Sequence, residues 1–368
     1  MNRPKSSNPR PYHPRDFLIK LPSLVFIVCM GFSSCTKEFS KENYELPKNQ
    51  IQPTPDSIDV YLAGSTGDGI HPFATYWKNG NAVTLTDGSN YAEAVSIVVS
   101  DTDKYIAGYE YNGSVYVAKY WKNSAAVLLS DGLYPAIAYS IAVSGNDVYV
   151  AGYESTASTV FATYWKNGIA VPLTGGSVAN SITVLGNDVY VAGDGNDNTA
   201  KYWKNGSPVS LTDGSVEAHA YAITVSGNDI YVAGSERDGL NGNFVAKYWK
   251  NGTVVILTDG SNDARANAIT ISGNDVYAAG AEFKDNNFFA AKYWKNGTGV
   301  SLEDGSNFSM VNSIVVKDND IYLAGKALKG PFMQGLPVTL YWLDGNEVPV
   351  QDPISHGGWT NSIFVVKN

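Results

Sequence analysis

An all-β ring of repeated four-stranded units is the fold class this sequence predicts, and three observations predict it. The phrase GNDVYVAG stands at 145–152 and 186–193 and returns with one or two changes at 227–234 and 273–280. Its tyrosine marks seven copies, Tyr61, Tyr105, Tyr149, Tyr190, Tyr231, Tyr277 and Tyr322, spaced 41 to 46 residues apart. The two ends of the repeated region are out of phase: it enters at DVYLAG (Asp59 to Gly64) and stops at SIFVV (Ser362 to Val366). A fixed period of this length is the signature of a repeat architecture.

Each phrase in the period reads as a strand, because it is short, rich in Val, Ile and Tyr, and bounded by Gly, Asn and Asp. The first is of the type SIAVS, beginning at Ser96, Ser140, Ser181, Ala222, Ala268, Ser313 and Ser362. The second is DVYVAG, reached through a tight Ser-Gly-Asn-Asp connection. The third ends in YWKNG, with Trp77, Trp121, Trp165, Trp203, Trp249 and Trp294, and drifts to YWLDG at Trp342. Asn-Gly is the pair that a two-residue type I′ hairpin requires, since both positions take positive φ. The fourth strand is short, as at Ala170 to Leu173, and leaves through a loop of the type LTDGS.

One such unit cannot bury both faces of its sheet, so it must stack on its copies. Radial stacking leaves only short, protected edges. The phase offset then closes the ring, since Ser362 to Val366 becomes the innermost strand of the blade begun by Asp59 to Gly64. The prediction is a seven-bladed β-propeller over 58–368, with four antiparallel strands per blade and the C-terminal strand paired into the first blade. The aromatic share of 12%, with 24 Tyr and 8 Trp, is accounted for by packing between blades. The GNDVYVAG repeat resembles the short seven-bladed propeller repeats of bacterial secreted proteins, across residues 58 to 368. That resemblance implies the fold and brings no catalytic residue with it.

The start of the chain has another character. Arg3, Lys5, Arg10, Arg15 and Lys20 form a basic lead, and Leu21 to Phe32 is an apolar run too short to span a bilayer but suited to a signal-peptide core. The run ends in Phe32-Ser33-Ser34-Cys35, which resembles a bacterial, Bacteroidetes-type lipoprotein signal. The resemblance implies cleavage after residue 34, lipidation of Cys35 and attachment to a lipid bilayer, on the bacterial outer membrane and facing the periplasm or the cell surface. An ordinary signal with an incidental cysteine is the alternative. Residues 35–57 carry three prolines and no apolar period and read as a tether. Only Cys29 and Cys35 exist, so the mature chain has no disulfide on this reading.

Five basic residues and one acid leave with 1–34, so 26 basic and 35 acidic residues become 21 and 34, and the net charge moves from −9 to −13. A surface this acidic argues against nucleic acid as a partner. His71, His219 and His356 are scattered over different repeats, so spacing indicates neither a histidine metal site nor a Ser-His-Asp arrangement. No cofactor, metal or catalytic residue is expected, and a monomer is. The aspartates of LTDGS (Asp87, Asp213, Asp259, Asp304) read as turn residues, and Asp194 to Asn198 as a short polar loop. Glu110, Glu154, Glu236 and Glu282 share one register and are expected to answer cross-strand lysines such as Lys119, Lys247 and Lys292.

What differs between repeats is freer to serve a ligand. Three residues before each first strand stand Glu93, Ile137, Val178, His219, Arg265, Met310 and Trp359; one residue before stand Val95, Tyr139, Asn180, Tyr221, Asn267, Asn312 and Asn361. They are expected to rim the central opening, where Glu93, Tyr139, His219, Tyr221, Arg265 and Trp359 would meet a polar or sugar-like ligand. Solvated loop tips of a scaffold are the plainer alternative. Two functions remain: a non-catalytic module binding a glycan or a protein, which is favoured, and a propeller enzyme acting on polysaccharide as a lyase or glycosidase. An enzyme is the weaker case because the unusually long stretch, Lys326 to Pro337, is apolar and rich in Gly and Pro rather than in acids and bases.

Overall fold

In each repeat Ala, Val and Ile alternate with larger or polar residues, and every such run forms a strand. The computed structural model describes residues 58–67, 72–284, 288–329, 336–350 and 357–368. The leader, Cys35, the tether, His71, His356 and the middle of the Lys326–Pro337 stretch lie outside the described residues.

Among the described residues seven antiparallel sheets form, one per repeat. Blade 2 shows the plan, with an inner strand Ala92–Ser100, a second Asp103–Tyr111, a third Tyr116–Lys122 and an outer Ala125–Leu128. Blades 3 to 6 follow it, with inner strands Ala136–Ser144, Gly176–Leu185, Ala218–Ser226 and Ala264–Ser272. Blade 7 starts at Ser309–Lys317; its second strand runs on to Lys329, and Leu336–Val338 pairs back onto that extension as a fifth strand. Both ends of the stretch read as a long loop are therefore strand. Blade 1 joins the two ends of the repeated region: Gly358–Lys367 is its inner strand, paired with Ile58–Thr66 from Ile58↔Lys367 to Thr66↔Gly358. Inner strands of neighbouring blades touch all the way round, including the blade 1 strand with those of blades 2 and 7.

The repeated phrases do their work at the junctions. Each of the seven junctions holds one apolar cluster, in which the second-strand Tyr and Ala of one blade receive the third-strand Trp of the next. Between blades 2 and 3, Tyr105 and Ala107 meet Ile141, Val150 and Trp165. All seven tryptophans are at most 2% exposed, and losing one such buried ring costs about 3–5 kcal/mol. The serine of SIAVS adds a polar stitch. Its Oγ accepts the inner-strand N–H of the next blade's isoleucine, as Ile141 to Ser96 (3.3 Å), Ile182 to Ser140 (3.2 Å), and, across the closure, Ile363 to Ser313 and Ile97 to Ser362 (both 3.3 Å).

The second and third phrases recur together because their residues bond to each other. In blade 3, Asn167 Nδ2 donates to Asp147 Oδ1 (2.7 Å) and Val148 N–H donates to Asn167 Oδ1 (2.8 Å). Lys166 Nζ stands 2.8 Å from Asp147 Oδ2 and 5.2 Å from the ring centre of Tyr149. The Asn-Gly hairpin puts Asn167 and Gly168 at φ 51° and 81°, the type I′ geometry that aims the amide back at the aspartate. The hairpin lysine is thus half exposed and paired.

Those contacts carry a pH dependence. The lysine beside it, and then the asparagine, hold each of Asp103, Asp147, Asp188, Asp229 and Asp275 below the usual carboxylate range. A depressed folded pKa contributes stability above the unfolded value of about 3.9 and loses it as pH falls through the folded one. The thermal midpoint is therefore expected to hold from neutrality down to about pH 4 and to drop below that. Unfolding scans at stepped pH check this.

Each inner strand has a residue with no partner in the second strand at one shared place, and that of blade 4 slips a second time, at Gly176/Val178. The register slips at Ala94/Ser96, Ala138/Ser140, Ala179/Ser181, Ala220/Ala222, Ala266/Ala268, Val311/Ser313 and opposite Ala63/Gly64, so every blade carries a β-bulge at the same place. The glycine of DVYVAG lies against it. A Cβ on Gly64, Gly108, Gly152, Gly193, Gly234, Gly280 or Gly325 would stand 1.8 to 2.0 Å from a carbonyl oxygen of the bulged segment, and this close approach accounts for glycine at all seven positions. Gly152→Ala is expected to destabilise the protein by at least about 1–3 kcal/mol, seen as a lower denaturant midpoint, because backbone rather than a flexible side chain must give way.

Candidate functional site

The positions that differ from blade to blade lie inside the inner strands, at their N-terminal ends, and not in the loops before them. Val95, Tyr139, Asn180, Tyr221, Asn267, Asn312 and Asn361 are the bulged residues themselves. Those two residues earlier are Glu93, Ile137, Val178, His219, Arg265, Met310 and Trp359, whose carbonyls crowd the glycines. Most are buried: Glu93 9%, Tyr139 2%, His219 6%, Tyr221 9% and Arg265 6% exposed; Trp359 and Met310 are half-buried. Solvated loop tips are therefore not what this end of the ring presents.

Three neighbourhoods result. At the closure, Tyr109 Oη donates to Glu93 Oε2 (2.5 Å), while Asn361 Nδ2 donates to Glu93 Oε1 (2.7 Å) and to the Ala94 carbonyl (3.0 Å). Lys326 Nζ is 3.9 Å from Glu93 Oε1 and lies 5.6 Å from the Trp359 ring centre. Burial, then the charge of Glu93, pushes the Tyr109 phenol well up. The bulge asparagines have a structural task as well: Asn180 donates to the Ala220 carbonyl (3.0 Å) and Asn267 to that of Val311 (2.9 Å), each in the next blade.

The second neighbourhood, over blades 2 to 4, is apolar and rich in tyrosine, with Tyr109, Tyr139 and Tyr153 around Ile137 and Val178. The third is ionic. His219 Nδ1 lies 3.1 Å from Asp194 Oδ2 and its Nε2 3.4 Å from Glu217 Oε1, while Arg237 Nε donates to Glu217 Oε2 (2.9 Å). The imidazole stacks on Tyr221 at 5.6 Å, and the Phe244 ring centre is 4.2 Å from the guanidinium of Arg237 and 5.7 Å from that of Arg265. Burial works against a charge on His219, but Tyr221, Asp194 and Glu217 outweigh it and raise its pKa to about 12. Hydrogen bonding to His219 lowers Glu217 to about 2 against the effect of burial, with help from Arg237.

Asp194 is the residue that sequence reasoning missed. It was read as part of a polar loop, yet it lies in the strand Asp188–Gly195, 7% exposed, and also accepts the Ala220 N–H (3.2 Å). Its position directly after the bulge-facing Gly193 was the available signal. Asp197 from the same stretch is bonded to Thr199 (2.5 Å) and Lys201 (3.0 Å). The LTDGS aspartates make turns, Ser89 N–H to Asp87 and Ser261 N–H to Asp259 both at 2.9 Å. The register of glutamates meets its lysines as Glu110–Lys119 and Glu236–Lys247 (2.5 Å) and Glu282–Lys292 (2.6 Å); Glu154 is the exception. A carboxyl pair with shifted protonation lies at the edge of blades 6 and 7, where Glu303 and Glu347 share Lys329. Burial and the bond to Glu347 push Glu303 up to about 7. Among the described residues no group of three or more His, Cys, Asp or Glu is arranged to hold a metal ion.

No protein-family model matches the chain, and no curated protein matches it in sequence. Solved structures do. The acylaminoacyl peptidase of Pyrococcus horikoshii superposes at TM-score 0.50 with 13% identity, over 81% of this chain and 51% of that one. An acylaminoacyl peptidase in complex with Z-Gly-Gly-Phe-chloromethyl ketone gives 0.49 with 12% identity over the same shares, and YjhT gives 0.41 with 14% identity over 74% of this chain and 97% of its own. This chain spans about half the length of the peptidase chains, and the likeness is one of fold.

A raised histidine pKa stabilises the fold fully below its unfolded value of about 6.5, and that contribution is lost as pH rises through the folded value. The His219 ring nitrogens are thus expected to keep imidazolium chemical shifts from about pH 5 to 9 in heteronuclear spectra. A transition near pH 6.5 would contradict the ionic cluster.

Proposed function

We propose that this chain is an extracytoplasmic, membrane-anchored β-propeller lipoprotein that acts without catalysis, as a binding or scaffold module. Its ligand is a glycan or a protein, received where the inner strands begin, and acylated Cys35 holds it to the outer membrane. One observation carries the binding reading: seven backbones of one construction hold seven different side chains at the head of each inner strand. A frame that is uniform in Trp, Ala and Gly gives no packing reason for Glu93, His219, Arg265 and Trp359 to differ. Rigid aromatic and charged groups on strands are what a preorganised binding surface needs.

The same geometry favours binding over turnover. Glu93 is bonded to Tyr109 and Asn361, and His219 is held as a cation between Asp194 and Glu217, so neither is poised to exchange a proton near neutral pH. Several acyl chains at Cys35 would give stable attachment, each methylene contributing about 0.8 kcal/mol.

A screen of glycans and candidate protein partners, followed with Trp359→Ala and Tyr221→Phe, tests this. Tyr221→Phe is expected to weaken binding by about 1–2 kcal/mol with little change in the unfolding midpoint, and Trp359→Ala to weaken it by at least as much while also lowering the midpoint, because its ring is half-buried. A ligand bound equally by both variants would remove the proposed face, and release of new reducing ends from a bound glycan would establish an enzyme instead. Labelling with a palmitate analogue should mark the chain and be lost in Cys35→Ala.

A further inference from the structure

Three departures from the repeat meet in one groove, on the periphery of the ring between blades 2 and 3. It has a volume of about 460 Å³ and is lined by Leu128, Asp131, Tyr134, Glu154 and Phe161 among others. The matching groove between blades 4 and 5, of about 420 Å³, shows how the repeat ordinarily treats the same positions. There Glu236 is 2.5 Å from Lys247 Nζ, and the Ser215 N–H donates to Asp213 (2.9 Å).

In blade 3 the lysine position is Thr163. Trp165 and Thr163 favour the charged form of Glu154, but among the described residues no Lys or Arg comes within ion-pair distance of it. Elsewhere, where the lysine is absent, the glutamate is absent too: Thr66 faces Thr75 through a 3.2 Å hydrogen bond in blade 1, and blade 7 has Ala327 and Leu340. Blade 3 alone keeps the acid without its base. Asp131 departs as well. The serine hydroxyl that bonds to Asp87 and Asp259 at 2.7 and 2.6 Å is replaced by Leu133, leaving the Leu133 N–H (3.0 Å). Leu128 and Leu133 stand where blade 4 has Ser210 and Ser215, and with Tyr134 they are 63%, 72% and 43% exposed. Burial, then the charge of Asp131, pushes the Glu154 carboxyl up, as expected of an acid lacking a cation.

Two under-served carboxylates, two aromatic rings and an aliphatic rim match an alkylammonium: the charge meets the acids, and the methylenes and the cation meet Leu128, Tyr134 and Phe161. A hard divalent ion would want more oxygen ligands than these. Leu133 and Leu128 extend the apolar surface past the carboxylates, area that residues flanking a lysine would cover and a free diamine would leave wet.

We propose that the groove between blades 2 and 3 receives a lysine side chain of a polypeptide partner, whose ammonium replaces the one that the repeat elsewhere supplies from its own third strand. The groove is distinct from the heads of the inner strands, and the inference does not rest on the function proposed for them.

Calorimetric titration of the protein with N-acetyl-lysine methylamide tests it, beside the neutral N-acetyl-norleucine methylamide and 1,5-diaminopentane. Saturable binding of the lysine probe is expected, at least about tenfold tighter than either of the others, and Glu154→Gln should weaken it about tenfold. Thr163→Lys restores the ion pair of the other blades, so it should abolish binding while leaving the unfolding midpoint at or above that of the parent, which separates loss of the site from loss of the fold. Absence of saturable binding, equal binding of norleucine, or parent-like binding by Thr163→Lys would overturn the proposal. A diamine bound as tightly as the lysine probe would overturn its polypeptide source.

Discussion

One extra residue per inner strand governs the end of this ring where blades differ. A bulge strengthens local twist and redirects a side chain, and here it does so at the same register in seven successive sheets. It can exist only if the neighbouring strand presents no side chain, which ties the second-strand glycine to the inner strand's path. The bulge therefore separates the duties of each blade. Residues below it are shared and interlock with the next blade; at the bulge and two residues above it the side chain changes from blade to blade, to Tyr, Asn, His or Arg, while the alanines between them stay small and buried.

The junctions below the bulge combine an apolar and a polar element, and their strengths are not uniform. All seven bury a tryptophan. The serine stitch is missing where the chain writes Ala222 and Ala268, so the junctions leading out of blades 5 and 6 lack that hydroxyl. At the second of these, Asn267 reaches the Val311 carbonyl, so a bulge residue takes over a linking role. Packing between blades and variation at their heads thus draw on the same positions, and some of the amides that resemble ligand groups serve the ring first.

The ring, its blade count and its mode of closure were legible because they rest on phrases that repeat, and the paired faults at Asp59 and Ser362 told how the ends meet. The turns were legible because Asn-Gly and Asp-Gly dictate backbone angles locally. The heads of the inner strands were not, since their side chains vary and the extra residue at the bulge shifts the alternation that marks a strand. A signal was present in Ala92 and Ala94, Ala136 and Ala138, Ala218 and Ala220, and Ala264 and Ala266: small residues at every second place, all buried. The partnership of Asp194 with His219 joins different blades, and nothing in spacing along the chain encodes a contact set by the curvature of the ring.

Blade 1 draws its innermost strand from the far end of the repeated region, and this has a consequence for how the protein is made. Six sheets can form one after another as the polypeptide emerges, each resting on its predecessor. The first waits, three-stranded, with the inner edge of Ile58–Thr66 open to any other extended peptide until Gly358–Lys367 arrives. Nascent molecules stalled short of that segment would be arcs with a sticky seam, and closing it joins partners as distant along the chain as Ile58 and Lys367, the kind of non-local pairing that slows folding.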